Sequence, residues 1–282
     1  MFKQLLVSSV LTICMIGNVF AEDQVDEVGE IDNQDLSFNV GSDFTTAYFF
    51  RGIMQENQGF IAQPWIGASL KLSDKNTVSV LFWNSIHDND TGATGGDVEA
   101  WYEADISITL THALTDKLSV NTGYRHLMSP NSAFNRVNEV FVGASFTDSL
   151  LGENRAHGGL NPFVDVVFEV DGTSDGDGDE GIYSEIGIRP RFDLVDNDAV
   201  DLDVTIPVKV GLGVQDYYGD SGFDFGYFSV GAVFGTPMKF FNLPNVTLTA
   251  GVEVLVLGDD AKAFNGGDDT EVIGTVGFST SF

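Results

Sequence analysis

The sequence predicts an all-β protein: an antiparallel barrel that crosses a membrane on its strands. Three observations predict it. Apolar residues recur at every second position over unusually long segments, glycine and aromatic residues are abundant while proline is rare, and the last segment alternates in phase up to a C-terminal Phe282. Period-two alternation places one face of a strand against an apolar phase. Glycine at 32 residues and phenylalanine at 23 fit a closed β-structure with tight turns, whereas a helical chain would avoid so much glycine.

The N-terminus reads as a targeting segment. Lys3 gives a positive start, Leu5 to Ile16 supply an apolar stretch, and Val19-Phe20-Ala21 offers a small-residue cleavage site, so residues 1–21 are expected to be a signal peptide. Cys14 follows the bulky Ile13 and so makes a poor acylation site; cleavage after Ala21 removes it and leaves no cysteine. Residues 22–35 are acidic and aperiodic, a flexible leader. Residues 36–282 are expected to form one barrel. Beyond the leader no stretch reaches the 18 or so apolar residues of a membrane helix, so a crossing would have to use strands. Loss of Lys3 takes the formal charge from −29 to −30, which excludes nucleic acid as a partner because phosphate would be repelled.

Twelve segments follow, starting near Leu36, Phe60, Thr77, Glu99, Lys117, Arg136, Asn161, Glu180, Ala199, Phe223, Asn245 and Thr270, with ten and fourteen as alternative counts. An even number lets both ends lie on the same side. The fourth sets Ile106, Ile108 and Leu110, with Tyr102 and Ala104, against Glu103, Asp105, Ser107 and Thr109. The seventh sets Val164, Val166, Phe168 and Val170 against Asp165 and Glu169. The eighth sets Ile182, Ile186 and Ile188 against Tyr183, Glu185, Arg189 and Arg191. The ninth runs from Val200 to Leu212 with every even position aliphatic and Asp201, Asp203, Thr205, Pro207, Lys209 and Gly211 opposite. That is longer than a soluble strand of about 5–6 residues and suits a tilted membrane strand. Pro207 deletes a ladder hydrogen bond, so a bulge or bend is expected there, and its inward phase would put any unpaired carbonyl beside lumen water. In the eleventh, Val246 to Val256 alternate with Thr247, Thr249, Gly251 and Glu253. In the twelfth, Val272, Gly274, Val276, Phe278, Thr280 and Phe282 share a face; Val276, Phe278 and Phe282 are the expected signal to the barrel-assembly machinery.

The connections divide into two sets. The turns at Ser73–Asn76, Ala113–Asp116, Asp193–Asp198 and Thr236–Pro244 are mostly short, with Thr147–Leu160 the exception. The loops at Asp88–Val98, Asp171–Asp179, Gly213–Gly222 and Gly258–Asp269 are richer in Gly and Asp, as outward loops are. Aromatics near strand ends (Tyr48 to Phe50, Trp65, Trp101, Tyr102, Phe163, Tyr227, Phe228, Phe240 and Phe241) are expected to form interfacial girdles.

The block Phe44 to Gln55 resembles the N-terminal signature of the TorF-like porin family, with Tyr48, Arg51, Gly52, Ile53 and Gln55 matching and Met54 standing where a small polar residue is expected. Trp101 to Asp105 resembles a second block. The resemblance implies an outer-membrane barrel whose cargo is uncharacterised, and it brings no catalytic or ligand-binding residues with it.

The inward face is expected to carry Glu103, Asp105, Glu139, Asp165, Glu169, Glu185, Asp201, Asp203 and Glu253 against Lys71, Arg125, Arg189, Arg191 and Lys209, with Arg51 folded inward over the lumen. A water-filled lumen tolerates such charges, and rings of them set ion selectivity. The acidic surplus points to a channel for passive diffusion of small solutes with cation preference. Two readings compete: an interior closed by salt bridges with no pore, and a non-conducting barrel that works through its acidic loops. A soluble periplasmic sandwich ranks third. For Arg51 a buried ion pair that fixes the first outer loop is the preferred reading.

No enzyme is expected. His126 stands near a strand end, but no Gly-x-Ser-x-Gly motif accompanies it, and His87, His112 and His157 have no metal spacing. Asp175-Gly176-Asp177-Gly178-Asp179-Glu180 imitates a calcium loop yet puts Glu180 where Gly is needed and Ile186 where Glu is needed. No metal or cofactor is called for. The partners expected are outer-membrane lipid and lipopolysaccharide of a Gram-negative bacterium, the assembly machinery and small solutes.

Overall fold

A computed structural model describes residues 35–88, 100–150, 159–176, 179–197, 200–219, 222–241 and 243–282. The expected signal peptide, all but the last residue of the leader, and part of the Asp-Gly loop lie outside the described residues.

The chain runs β1 (Leu36–Thr45), β2 (Tyr48–Phe50), β3 (Ile53–Glu56), β4 (Ile61–Ser73), β5 (Asn76–His87), β6 (Trp101–Ala113), β7 (Leu118–Met128) and β8 (Val137–Phe146). It continues through β9 (Pro162–Asp171), β10 (Ile182–Ile188), β11 (Arg191–Asp196), β12 (Asp201–Thr205), β13 (Val208–Gln215), β14 (Asp224–Met238) and β15 (Leu243–Leu257). A short helix α1 (Asp259–Phe264) and β16 (Thr270–Ser281) complete it. Every neighbour in the large sheet is antiparallel, and β16 pairs back onto β1 from Asn39↔Ser281 to Thr45↔Thr275, which closes the wall. The wall has twelve staves, because β10 with β11 and β12 with β13 are each one strand interrupted by a proline.

Those interruptions face each other. The Ile206 amide donates to the Pro190 carbonyl at 2.8 Å and the Gly231 amide to the Pro207 carbonyl at 2.9 Å. Each proline removes its own donor and interrupts the ladder, while the register runs on unchanged across the break, from Ile188↔Val208 to Arg191↔Thr205. The unchanged register leaves no bulge at Pro207; its carbonyl is paired within the wall and the residue is fully buried.

Away from bulges, directly paired residues share parity throughout the wall: Asp43↔Gln63, Arg125↔Glu139, Glu139↔Glu169, Asp165↔Glu185 and Lys209↔Ser229 are all odd. Opposed residues of an antiparallel pair lie on one face, so odd numbers line the lumen and even numbers face outward. Val40, Ile66, Ile106, Ile108, Val142, Ile186, Val252 and Val276 accordingly form an exposed apolar belt. Such a belt is costly in water and favourable in hydrocarbon, where a closed barrel also leaves no backbone edge unsatisfied.

The same parity corrects the girdle expectation. Trp65, Phe163 and Tyr227 are odd and buried inside, while Tyr48, Phe49 and Phe50 belong to β2, which is not a wall strand. Tyr102 also turns inward, because a bulge opposite Ser85–Ile86 leaves it as the extra residue. Of the expected set Trp101 and Phe241 do face outward, joined by Phe44, Phe60, Phe146, Phe225 and Phe282, with Phe44 and Phe60 in ring contact at 5.6 Å.

Inward glycines are paired with large or acidic neighbours. A Cβ on Gly41 would meet the Trp65 ring, on Gly123 the Phe141 ring, on Gly187 the Phe163 ring, on Gly143 the Asp165 and Asn121 side chains, and on Gly277 the Asp43 carboxylate. Each large side chain thus lies flat over a cross-strand glycine, the aromatic-rescue arrangement of sheets.

Candidate functional site

The mouth that carries the long loops is filled by the first of them. Between β1 and β4 the chain does not arch outward; it forms the hairpin β2–β3, whose two-residue tip is Arg51–Gly52. Both tip residues have positive φ, 50° and 83°, as a type I′ hairpin turn requires. Glycine adopts this readily, whereas arginine does so at a cost of roughly 1–3 kcal/mol, so tertiary contacts must hold it.

Those contacts enclose the Arg51 side chain completely. Its Nη1 lies 2.7 Å from Glu139 Oε1 and its Nη2 donates to Glu139 Oε2 at 2.8 Å, a two-pronged pair with both side chains at 0% exposure. Nη1 also donates to the Tyr217 hydroxyl at 2.8 Å. The guanidinium carbon stands 4.6 Å from the Phe50 ring centre, 4.8 Å from Tyr183 and 5.2 Å from Tyr217. Arg125, from the neighbouring strand, holds the same carboxylate at 3.2 Å. The tip's backbone is fixed from two other loops: the Tyr218 hydroxyl donates to the Arg51 carbonyl at 2.7 Å, and Asn265 donates to the Gly52 carbonyl and accepts from the Met54 amide, both at 2.6 Å.

Around this tip the hairpin packs against the wall. Phe49 and Ile53 join Phe141, Val167, Tyr183, Tyr227, Leu255, Leu257 and Ile273. Tyr48 and Phe50 join Ile61, Trp65, Leu81, Trp83, Tyr102 and Leu127 on the other side. Tyr48 donates to Glu103 Oε2 at 2.8 Å, and the Tyr102 hydroxyl donates to Gln55. The half of the lumen nearest the long loops is therefore packed with side chains.

The expected lumen residues take distinct places. Glu139 meets Arg51, and Glu103 shares a hydrogen bond with Asp105 beneath the hairpin. Glu185 accepts from the Tyr183 and Tyr227 hydroxyls, and Glu169 accepts the amides of Ser174 and Gly181 at 2.7 and 2.9 Å, tying down the β9–β10 loop. Lys209 pairs with Glu253 at 3.2 Å and Arg191 with Asp203 at 3.0 Å. Arg189 stacks 3.9 Å from the Phe163 ring, and Asp165 lies over Gly143. Asp201 sits at the short-turn mouth, 3.7 Å from Lys239. Val276, Phe278 and Phe282 face outward along the closing seam, where the Phe282 amide donates to the Phe38 carbonyl at 2.8 Å.

Several participants escaped the sequence reading. Tyr217 and Tyr218 stand in a polar Gly-Asp loop, and adjacent aromatics in such a loop are a signal that the loop folds back. Asp43 is odd-numbered and could have been found by phase. Asn265 carries no such mark. His126, on the outward phase, bonds Asn138 at 2.6 Å, and its wall neighbours are Ile106, Tyr124 and Asn138; no serine or threonine flanks it on that face. Among the described residues no group of three His, Cys, Asp or Glu side chains could hold a metal ion.

No family model matches the chain, and no curated protein sequence matches it. Solved structures do. The NanC porin shares 12% identity over 87% of this chain and 98% of its own, with a TM-score of 0.48. An outer-membrane channel from Pseudomonas putida F1 shares 12% over 90% and 100%, at 0.48. LpxR from Salmonella typhimurium shares 8% over 86% and 99%, at 0.49. At such identities the likeness is one of architecture, and no solute or reaction passes from it to this chain.

Proposed function

We propose that this chain is an outer-membrane channel for small solutes, cation-preferring, and closed in the present conformation by the hairpin β2–β3. The observation that carries the reading is the lining: charged and polar side chains face inward on stave after stave, under an exposed apolar belt that only lipid would cover. A barrel built only to fold needs no such interior. The resemblance of Phe44–Gln55 to the TorF-like porins supports the same reading.

Cation preference follows from the balance of charge. Arg51, Arg125, Arg191 and Lys209 are each spent on an acid, whereas Glu103, Glu169 and Glu185 are held by hydroxyls and amides. The lining that remains when the hairpin moves is net acidic, so the field favours a cation.

One observation favours a second reading, a non-conducting barrel whose loops are its working surface: the packing about Arg51 leaves no exposed surface on either partner of its ion pair. Planar-bilayer recording of the refolded protein under a KCl gradient separates the two. Gated conductance with a reversal potential displaced toward that of K⁺ is expected; a folded, heat-modifiable barrel that stays silent at every voltage would transfer the function to the loops.

A further inference from the structure

Arg51 occupies a place built for a cation, and almost everything that builds it belongs to other parts of the chain. Glu139 comes from β8, Tyr183 from β10 and Tyr217 from the β13–β14 loop; among the groups around the guanidinium only Phe50 travels with the hairpin. A carboxylate that meets a guanidinium two-to-two, with aromatic faces about five ångströms away, is the chemistry by which a guanidinium ligand is recognised. We propose that Glu139, Tyr183 and Tyr217 form a binding site for guanidinium-bearing solutes, and that Arg51 is its tethered occupant, displaced when the hairpin withdraws. The inference rests on the channel reading for its physiological sense and names the solute class.

Three features keep the site formed without Arg51. Arg125 stays 3.2 Å from Glu139 and holds the carboxylate in place. Tyr183 is anchored from behind by the Tyr227 hydroxyl at 3.1 Å and by Glu185 at 3.3 Å. Tyr217 packs edge-on against Tyr218 at 4.9 Å and against Tyr183 at 5.0 Å, so the rings brace one another. The fork of Glu139 also sets the class. A guanidinium offers two parallel N–H donors and a flat face to the rings, whereas an ammonium of equal charge offers a point and stacks poorly.

The test is chemical rescue. Arg51→Ala empties the site in the full barrel, and the melting midpoint is read by heat-modifiable gel mobility in detergent. Millimolar ethylguanidinium is titrated against ethylammonium at matched ionic strength. The expected result is a lowered midpoint for R51A that ethylguanidinium alone raises, saturably, by about 3 °C once it exceeds its Kd several-fold. The effect should vanish in R51A/E139Q. Equal rescue by ethylammonium, rescue that survives E139Q, or no rescue overturns the proposal. Where R51A does not refold, Arg51→Gln keeps the stem while vacating the charge, and refolding yield with ethylguanidinium becomes the readout under the same criteria. The midpoint requires no current. A silent barrel that is rescued therefore refutes the channel and keeps the site, and a conducting barrel without rescue does the reverse.

Discussion

Glu139 is the residue on which the interior turns, since it answers two arginines at once, Arg51 at 2.7 Å and Arg125 at 3.2 Å, with no solvent exposure of its own. Burying one carboxylate between two guanidinium groups is tolerable only while all three are present, because an unpaired buried charge costs more than the pair returns. Glu139→Ala is therefore expected to destabilise the barrel by about 3–5 kcal/mol, read as a lower melting midpoint, and to free the tip from its positive-φ turn. Glu139→Gln, which keeps a hydrogen-bond acceptor, should cost less. An equal midpoint for E139A and the parent would show that the hairpin is held by its apolar contacts alone. Arg51 was visible in the sequence as an arginine before a glycine at the end of an aromatic run. Its partner was not, because the two stand 88 positions apart and only barrel closure brings them together.

At the scale of elements, alternation made the staves legible. All twelve expected starts lie within about two residues of the observed ones, as period two is imposed by the pleat itself and needs no tertiary knowledge. What alternation could not show was the hairpin β2–β3: it is short, its first arm Tyr48–Phe50 is aromatic on both faces, and it reads as the end of a strand. The bulge at Tyr102 was hidden for the same reason, since one extra residue flips the face and leaves no mark in composition. The inward glycines give a check at this scale. Gly143 lies between Asp165 and Asn121, whose side-chain oxygens stand 1.9 and 2.3 Å from where its Cβ would be, whereas nothing lies within 4 Å of one on Gly222. Gly143→Ala must push a carboxylate off the wall and should cost about 1–3 kcal/mol; Gly222→Ala should melt like the parent. Matching midpoints for both would mean that the flat-lying acids shift without resistance.

The whole molecule combines a wall that is stable by closure with a plug that is a local excursion of one loop. The wall's hydrogen bonds run through β1, β4 and on to β16 without using β2 or β3, which pair only with each other. The plug can therefore be removed without opening the ladder. Below the plug the lining includes small groups, with Ser79, Thr109 and Asn121 inward and acids laid over glycines, beside the ion pairs Lys209–Glu253 and Arg191–Asp203. Replacing residues 47–58 by a short Gly-Ser turn is expected to leave a heat-modifiable barrel. That barrel should conduct continuously where the parent is gated, with its cation preference retained because the acidic lining is untouched. Conductance that rises without cation preference would assign selectivity to the hairpin. A truncated barrel that is folded yet silent would place a second closure among the wall's own salt bridges, with Lys209–Glu253 and Arg191–Asp203 the pairs to open next.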